Sequence, residues 1–269
     1  RRCRRGPGIH RRPSHSGFTL TPCPSVPKRP QRLLQWRSDA RMVEETRNDE
    51  IEKKVNNTGK PLIYVLNKCD LVDKSLMENW KRTLPDSVFI SAKDHLGTMK
   101  LREKIMMTAH RKGLEDVTVG ILGYPNVGKS SVINDLKGKG AASTSSMSGH
   151  TRHIQKISSR RIMLLDTPGV IPYSDTIRHQ NPREKLAMIG SVDHTRIKEP
   201  DIVVGKIIRQ FPGLIERHYG VEENEDSDET IEAIAVKYNL KSKGNSPDLA
   251  RAARLILKDW QTGKIKRKG

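Results

Sequence analysis

Cysteine is scarce in this chain. Cys3, Cys23 and Cys69 form no CxxC pair and leave one over in any disulfide scheme, so neither a disulfide framework nor a thiolate zinc site follows, and a reducing compartment does. Aromatic residues make up only 4% of the chain, too few for a platform of rings on which successive bases could stack. No apolar run is long enough for a helix to cross a bilayer. The chain is therefore expected to be cytoplasmic. Acidic residues are outnumbered: 50 Lys and Arg against 31 Asp and Glu give a net charge of +19 and a pI near 10.0. Such a field attracts polyanions.

Acid is wholly absent from residues 1–38. That stretch holds nine Arg, Lys28 and six Pro, which is roughly half of the net charge. It cannot bury enough apolar surface to offset its ordering entropy, and residues 1–38 are expected to be a basic, disordered leader. They lack the apolar core of a secretory signal, although an organellar presequence shares their richness in Arg and Ser.

From Asp39 onward the pattern is globular. "ARMVEETRNDEIEKKV" predicts a polar surface helix, and "KPLIYVLN" a buried strand. "SVFIS" predicts a second strand, and "LREKIMMTAHRK" a helix with Leu101, Ile105 and Met106 inward. "VTVGILG" predicts a third strand feeding the helix "KSSVINDL", and "HIQKISS" and "RRIMLLD" predict two more strands. Strands alternating with helices predict an α/β domain, a mostly parallel sheet with helices on both faces, whose ligands sit beyond the strand carboxyl ends.

Two motifs fall at those ends. Gly123, Gly128, Lys129 and Ser130 fit GxxxxGK[ST] between a predicted strand and helix. Glycines let backbone N–H groups wrap phosphates, Lys129 neutralises the β and γ oxygens, and the Ser130 hydroxyl ligates Mg2+. Val127 and Ser131 border the same cradle. "LLDTPG" sets Asp166 at a strand end, where it can hold Mg2+ through water, and the Gly169 N–H can sense a γ-phosphate. Apart from a P-loop, DTPG is an ordinary Asp turn.

Upstream, "NKCD" supplies Asn67, Lys68 and Asp70. A carboxylate at Asp70 can accept both donors of guanine, N1–H and the N2 amine, whereas adenine offers no such pair. Asn67 would tie this loop to the P-loop, and the Lys68 stem would cover the base. "SAK", Ser91, Ala92 and Lys93, ends the next strand, where the Ala92 N–H could meet guanine O6. These fragments complete a G domain, but the base reader precedes the P-loop. A guanine site ordinarily begins at the P-loop, so the order is a circular permutation, which a fold tolerates when the original termini lie close together.

The permuted order, with "DARMVEETRN", "GYPNVGKSS", "SGHTR", "DTPGV" and "SPDLARAARLILKDWQTGKI", resembles the YlqF family of circularly permuted ribosome-assembly GTPases, of the TRAFAC class and the archaeal type. The resemblance implies a GTP-hydrolysing factor that binds GTP or GDP, matures the large ribosomal subunit and contacts ribosomal RNA. It implies that Thr151 is the switch threonine closing on Mg2+ and the γ-phosphate, so that Lys129, Thr151 and Gly169 carry the reaction. It implies that Asn126 ligates a K+ ion standing in for an arginine finger. Val170 follows Gly169, where Ras-like enzymes carry a glutamine, so unaided hydrolysis is expected at about 10⁻⁴ to 10⁻² per second. An RNA-binding module with a vestigial nucleotide site, or a GTPase of tRNA modification or small-subunit maturation, would share part of this pattern.

In that family an apolar strand leads into "DAR". Here "QRLLQWRS" holds the place, with only Leu33, Leu34 and Trp36 suited to a core. The G domain is therefore taken as 39–181, with the strand before it doubtful.

Residues 182–269 predict a small all-helical domain. "PDIVVGKIIRQF" starts a helix at Pro200, and "SDETIEAIAVKY" sets Ile231, Ile234, Ala235 and Tyr238 on one face. In the last helix Ser246 is the expected cap, Leu249, Ala253, Ile256 and Trp260 the inner stripe, and Gly263 the stop. Arg251, Arg254 and Lys258 fall on the other side, and Lys264 and Lys266 follow. A one-signed stripe running into a basic tail suits phosphate contact with structured RNA. The chain is expected to act as a monomer.

Overall fold

Six strands, four of them at the apolar runs of the sequence, form in a computed structural model that describes residues 32–114, 117–137, 154–156, 162–166 and 182–267. They are β1 (Arg32–Asp39), β2 (Leu62–Asn67), β3 (Ser87–Phe89), β4 (Val117–Gly123), β5 (Ile154–Lys156) and β6 (Ile162–Asp166). Their order is β3-β2-β1-β4-β6-β5, parallel throughout except for β5 against β6. Parallel strands covered on both faces read as continuous apolar runs. In β4, Val117, Val119 and Ile121 are buried against Ile63, Val65 and Leu164 of its neighbours.

The doubtful strand is present and central. β1 pairs with β2 from Leu34↔Leu62 to Asp39↔Asn67, and with β4 from Arg32↔Thr118 to Arg37↔Gly123. The boundary drawn at Asp39 is therefore wrong: residues 32–38 belong to the sheet. A slot open on both edges supplies ladder hydrogen bonds to whatever backbone fills it, so position overrides the poor strand propensity of Arg and Gln.

Helices α1 (Val43–Thr46), α2 (Asp49–Asn57), α3 (Lys74–Thr83), α4 (Thr98–Arg111) and α5 (Lys129–Lys137) flank the sheet. The expected single helix after Asp39 is two, because Asn48 is extended and its side chain caps α2 by accepting from the Ile51 N–H at 3.0 Å. Nor is its start on the surface: Ala40, Arg41 and Met42 are buried. In α4 the buried stripe is Leu101, Ile105 and Ala109, while Met106 is 36% exposed. Residues four apart share a helix face, and Met106 is one step off it.

Among the described residues, five further helices, α6 (Pro182–Met188), α7 (Pro200–Gln210), α8 (Leu214–Tyr219), α9 (Ser227–Lys237) and α10 (Leu249–Thr262), make up the helical unit. Pro200 opens α7 as expected, where its missing N–H costs nothing. Ile231, Ile234 and Ala235 are buried, but Tyr238 caps α9 at its C-terminal end and is 47% exposed. In α10 the cap is Asp248, which accepts from the Arg251 N–H at 2.9 Å. Ser246 is instead engaged with Ser242. Ala253, Ile256 and Trp260 of the expected inner stripe are buried, joined by Ala252 and Leu257, while Leu249 is exposed. Gly263 stops the helix in a left-handed conformation, φ 77°.

The helical unit shares its core with the sheet domain. Met42, Tyr124 and Val127 pack with Trp260, Phe211 and Ile256, so the start of α1 and the P-loop lie against α7 and α10. Trp260 is fully buried, donates from Nε1 to the Met188 carbonyl at 2.8 Å and stacks on Phe211 with centroids 5.5 Å apart.

Candidate functional site

The loop from β4 into α5 needs backbone that side chains resist. Gly123, Asn126 and Gly128 have φ of 145°, 58° and 87°. A Cβ on Gly128 would run into Asn67 Nδ2, so glycine is required there by space as well as by φ. Lys129 is buried and folds back, its Nζ donating to the carbonyls of Gly123, at 3.1 Å, and Tyr124. Ser130 and Ser131 are exposed in the first turn of α5.

Asn67 joins two motifs far apart in sequence. Buried at the end of β2, it donates from Nδ2 to the Val127 carbonyl at 3.1 Å and accepts from the Ala92 N–H through Oδ1 at 3.3 Å. Asn67 thus joins the NKCD loop to both the P-loop and the SAK turn, and the Ala92 N–H is engaged by Asn67. Lys68 is left-handed, φ 62°, and Asp70 follows, partly buried, in a 3₁₀ turn anchored by the Cys69 N–H on the Ile90 carbonyl at 3.0 Å. Ser91 is fully buried and bonded to Asp94 at 3.2 Å, which fixes the SAK turn, and Lys93 is exposed. A cavity of about 300 Å³ opens between these loops, bounded by Asn67, Lys68, Asp70 and the SAK turn on one side and Asn126, Gly128 and Ser131 on the other.

Sequence reasoning gave no role to Asp39 and Arg41. Asp39, buried at the end of β1, meets Arg41 at 2.9 Å and Lys68 Nζ at 2.9 Å. Burial alone would raise its pKa, but the charges of Arg41 and Lys68 outweigh it and hold the carboxyl well below the usual carboxylate range. Arg41 also donates to the Trp260 carbonyl at 2.8 Å, and its guanidinium lies 4.1 Å from the Trp260 ring centroid. One buried carboxylate thus ties Lys68 of the NKCD loop, through Arg41, to the helical unit. The signal was the Asp-Ala-Arg triplet after a strand, which reads as a helix start when the strand is doubted.

Other expected site residues divide. Thr151 and Gly169 lie outside the described residues, as does the side chain of Asp166, whose backbone ends β6 opposite Ile121 of β4. Asn126 is exposed and donates to the Ser191 carbonyl at 3.4 Å. Arg251, Arg254 and Lys258 are exposed along α10, with Lys264 and Lys266 beyond it. Lys264 pairs with Asp259 at 2.8 Å, so part of the tail's charge is neutralised internally. No helix among the described residues is long and apolar enough to cross a membrane.

A glycine loop with a buried lysine between strand and helix, bridged by one asparagine to an Asp-bearing loop that precedes it in sequence, defines a P-loop GTPase domain in permuted order. Comparison with known proteins agrees. Residues 118–235, from the P-loop strand into the helical unit, match the family model described as 50S ribosome-binding GTPase. The chain is 40% identical over 233 residues to an uncharacterized GTP-binding protein of Methanocaldococcus jannaschii, covering 84% of this chain and 61% of that protein. It is 32% identical over 237 residues to nuclear/nucleolar GTPase 2 of Oryza sativa subsp. indica, covering 84% of this chain and 43% of that protein. It therefore spans less than two thirds of these relatives. Among solved structures, GNP-bound YlqF of T. maritima superposes with a TM-score of 0.60 at 26% identity, over 88% of this chain and 90% of that one. Its GDP-bound structure gives a TM-score of 0.62. The chain thus has the fold of YlqF, a circularly permuted GTPase, and residues 118–235 carry the match to the GTPase family model.

Proposed function

We propose that this protein is a GTP-hydrolysing assembly factor that acts on the large ribosomal subunit through contact with ribosomal RNA. The observation that carries the nucleotide half is Asn67, which with one side chain joins the P-loop to the base-reading loops around a single cavity. Asp70 reads guanine from that cavity, and Lys129 exchanges its two loop carbonyls for phosphate oxygens. Ser130, exposed at the first turn of α5, would supply a hydroxyl to Mg2+, and Asp166, whose backbone ends the strand beside the P-loop strand, a carboxylate. Thr151 and Gly169 close on the γ-phosphate. The ribosomal half rests on the description of the matching family, the nucleolar names of the relatives and the exposed row Arg251, Arg254 and Lys258.

The test is sedimentation of cell extract with a non-hydrolysable GTP analogue. Co-migration with large-subunit precursors is expected, and free or small-subunit fractions would remove the reading. Lys129→Ala is expected to abolish the nucleotide-dependent part while leaving salt-sensitive RNA binding through the tail. A K+ ion held by Asn126 would add positive charge at the transferred phosphoryl, so GTP turnover is expected to be faster in K+ than in Na+. Equal turnover in the two salts would remove Asn126 as a cation ligand.

A further inference from the structure

The guanine cavity has a wall that does not belong to the G domain. Gln261, Thr262 and Gly263, the C-terminal end of α10, line it together with Asp70 and Lys68. Gly263 lies against Leu71, the residue after Asp70, so closely that an added Cβ would stand 2.9 Å from Leu71 Cδ1. Four residues later the Arg267 N–H donates to the Leu71 carbonyl at 2.7 Å, and its Nη1 donates to the Arg41 carbonyl at 2.8 Å. The base-reading turn is thus packed and hydrogen-bonded to the chain leaving α10.

Gln261 fixes where that chain stands. Its Nε2 donates to the carbonyls of Ala187, at 2.8 Å, and Val192, at 2.9 Å, and its Oε1 accepts from the His194 N–H at 3.0 Å. The loop it grips touches the P-loop in turn, since Ser191 Oγ donates to the Pro125 carbonyl at 2.9 Å and Asn126 reaches the Ser191 carbonyl. One amide therefore brackets both ends of the nucleotide site from the helical unit. None of its three bonds serves the interior of α10, whose Trp260 and Ile256 are already packed. An amide with donors and acceptor committed to the end of α6 and the loop after it holds that loop and the end of α10 in a single arrangement.

We propose that Gln261 is a positioning residue for guanine-nucleotide retention: through it the helical unit closes the base pocket, so the docking of that unit sets how long GDP or GTP stays bound. The proposal rests on the guanine reading of the Asp70 pocket. With the wall in place the base is shielded on the side facing α10, and the hydrogen bonds to Asp70 form in a drier, lower-dielectric setting, where they are stronger. With the wall loosened, water reaches them. To the extent that longer retention is tighter binding, linkage makes the effect reciprocal, and nucleotide in the pocket favours the docked helical unit by the same free energy.

The experiment measures dissociation of a fluorescent GDP from the full chain in four forms: unsubstituted, Gln261→Ala, Gln261→Met and Ile234→Val. The Met variant keeps the bulk of Gln261 without its hydrogen bonds. The Ile234→Val variant trims a buried methylene of α9 away from the pocket and controls for general loosening of the helical unit. Thermal melting is recorded for each. Dissociation about tenfold faster in both Gln261 variants, with the Ile234 variant unchanged, is the expected result. Rates within twofold of the unsubstituted chain in the Gln261 variants, or an equal acceleration in Ile234→Val, would overturn the proposal. An unsubstituted chain that binds no GDP would instead remove the guanine reading, and this inference with it.

Discussion

Asp70→Asn is expected to weaken GDP binding by between about 30-fold and several thousand-fold, the range for truncating one partner of a desolvated, hydrogen-bonded charge. The argument is one of complementarity. A carboxylate accepts twice and donates nothing, which suits the N1–H and N2 amine of guanine. An amide at the same position places a donor against the N2 amine and leaves one of the two unpaired. Xanthine, which carries a carbonyl where guanine has that amine, can accept the new donor. Competition of fluorescent GDP by GDP and by xanthosine diphosphate should therefore invert its order in the variant. Loss of both nucleotides together would point to collapse of the 3₁₀ turn around Cys69 to Leu71. Retention of GDP preference would show that Asp70 does not read the base.

Arg41→Ala should cost about 3 to 5 kcal/mol in urea unfolding at neutral pH, as expected when one partner of a buried ion pair is removed. Asp39 would keep Lys68 but lose the fork that holds both its oxygens, and the Trp260 carbonyl would keep only the Gly263 N–H at 3.2 Å. Arg41→Lys should recover only part of the loss, because an ammonium cannot donate to both carboxylate oxygens and the Trp260 carbonyl in the same plane. The pH dependence has a definite sign. Asp39 is held ionised below its unfolded pKa of about 3.9, so the stability it contributes is complete above that value and drains away as pH falls further toward its depressed folded value. The gap between the parent and Arg41→Ala should thus be constant from pH 5 to 8 and narrow below about pH 4. A gap that persisted unchanged in acid would mean that Arg41 acts through its packing on Trp260 and not through Asp39.

The parts of the site legible in the sequence are those where local backbone demands dictate the residue. Gly128 must be glycine because its φ is positive and Asn67 occupies the space of a Cβ, and such a demand appears in sequence as a motif. Asn67, Asp70 and Ser91 sit at strand ends that apolar runs announce. β1 was not legible because its place is set by β2 and β4 on either side rather than by its own side chains. The exposed ends of two helical stripes, Tyr238 and Leu249, were misread because periodicity gives a face but not where the helix stops. Asp248 decides the start of α10 by accepting from the Arg251 N–H, two residues past the Ser246 expected as the cap. Gln261 could not be read at all: its partners are three backbone groups in another helix end and loop, and no side-chain pattern records them.

The place of β1 at the middle of the sheet bears on how the chain is made. During synthesis this strand is the first of the six to leave the exit tunnel, and β2 can join it soon afterwards. The other edge of β1 must wait until β4 has been translated, with α2, α3 and α4 in between. Until then a nascent chain shows an unpaired parallel edge, the kind of surface that recruits another strand in error. The bond from Asn67 to Val127 cannot form before the P-loop emerges. Nucleotide is therefore unavailable as a stabiliser while that edge stands open, and the need for chaperone protection should fall within this interval of translation rather than at its end.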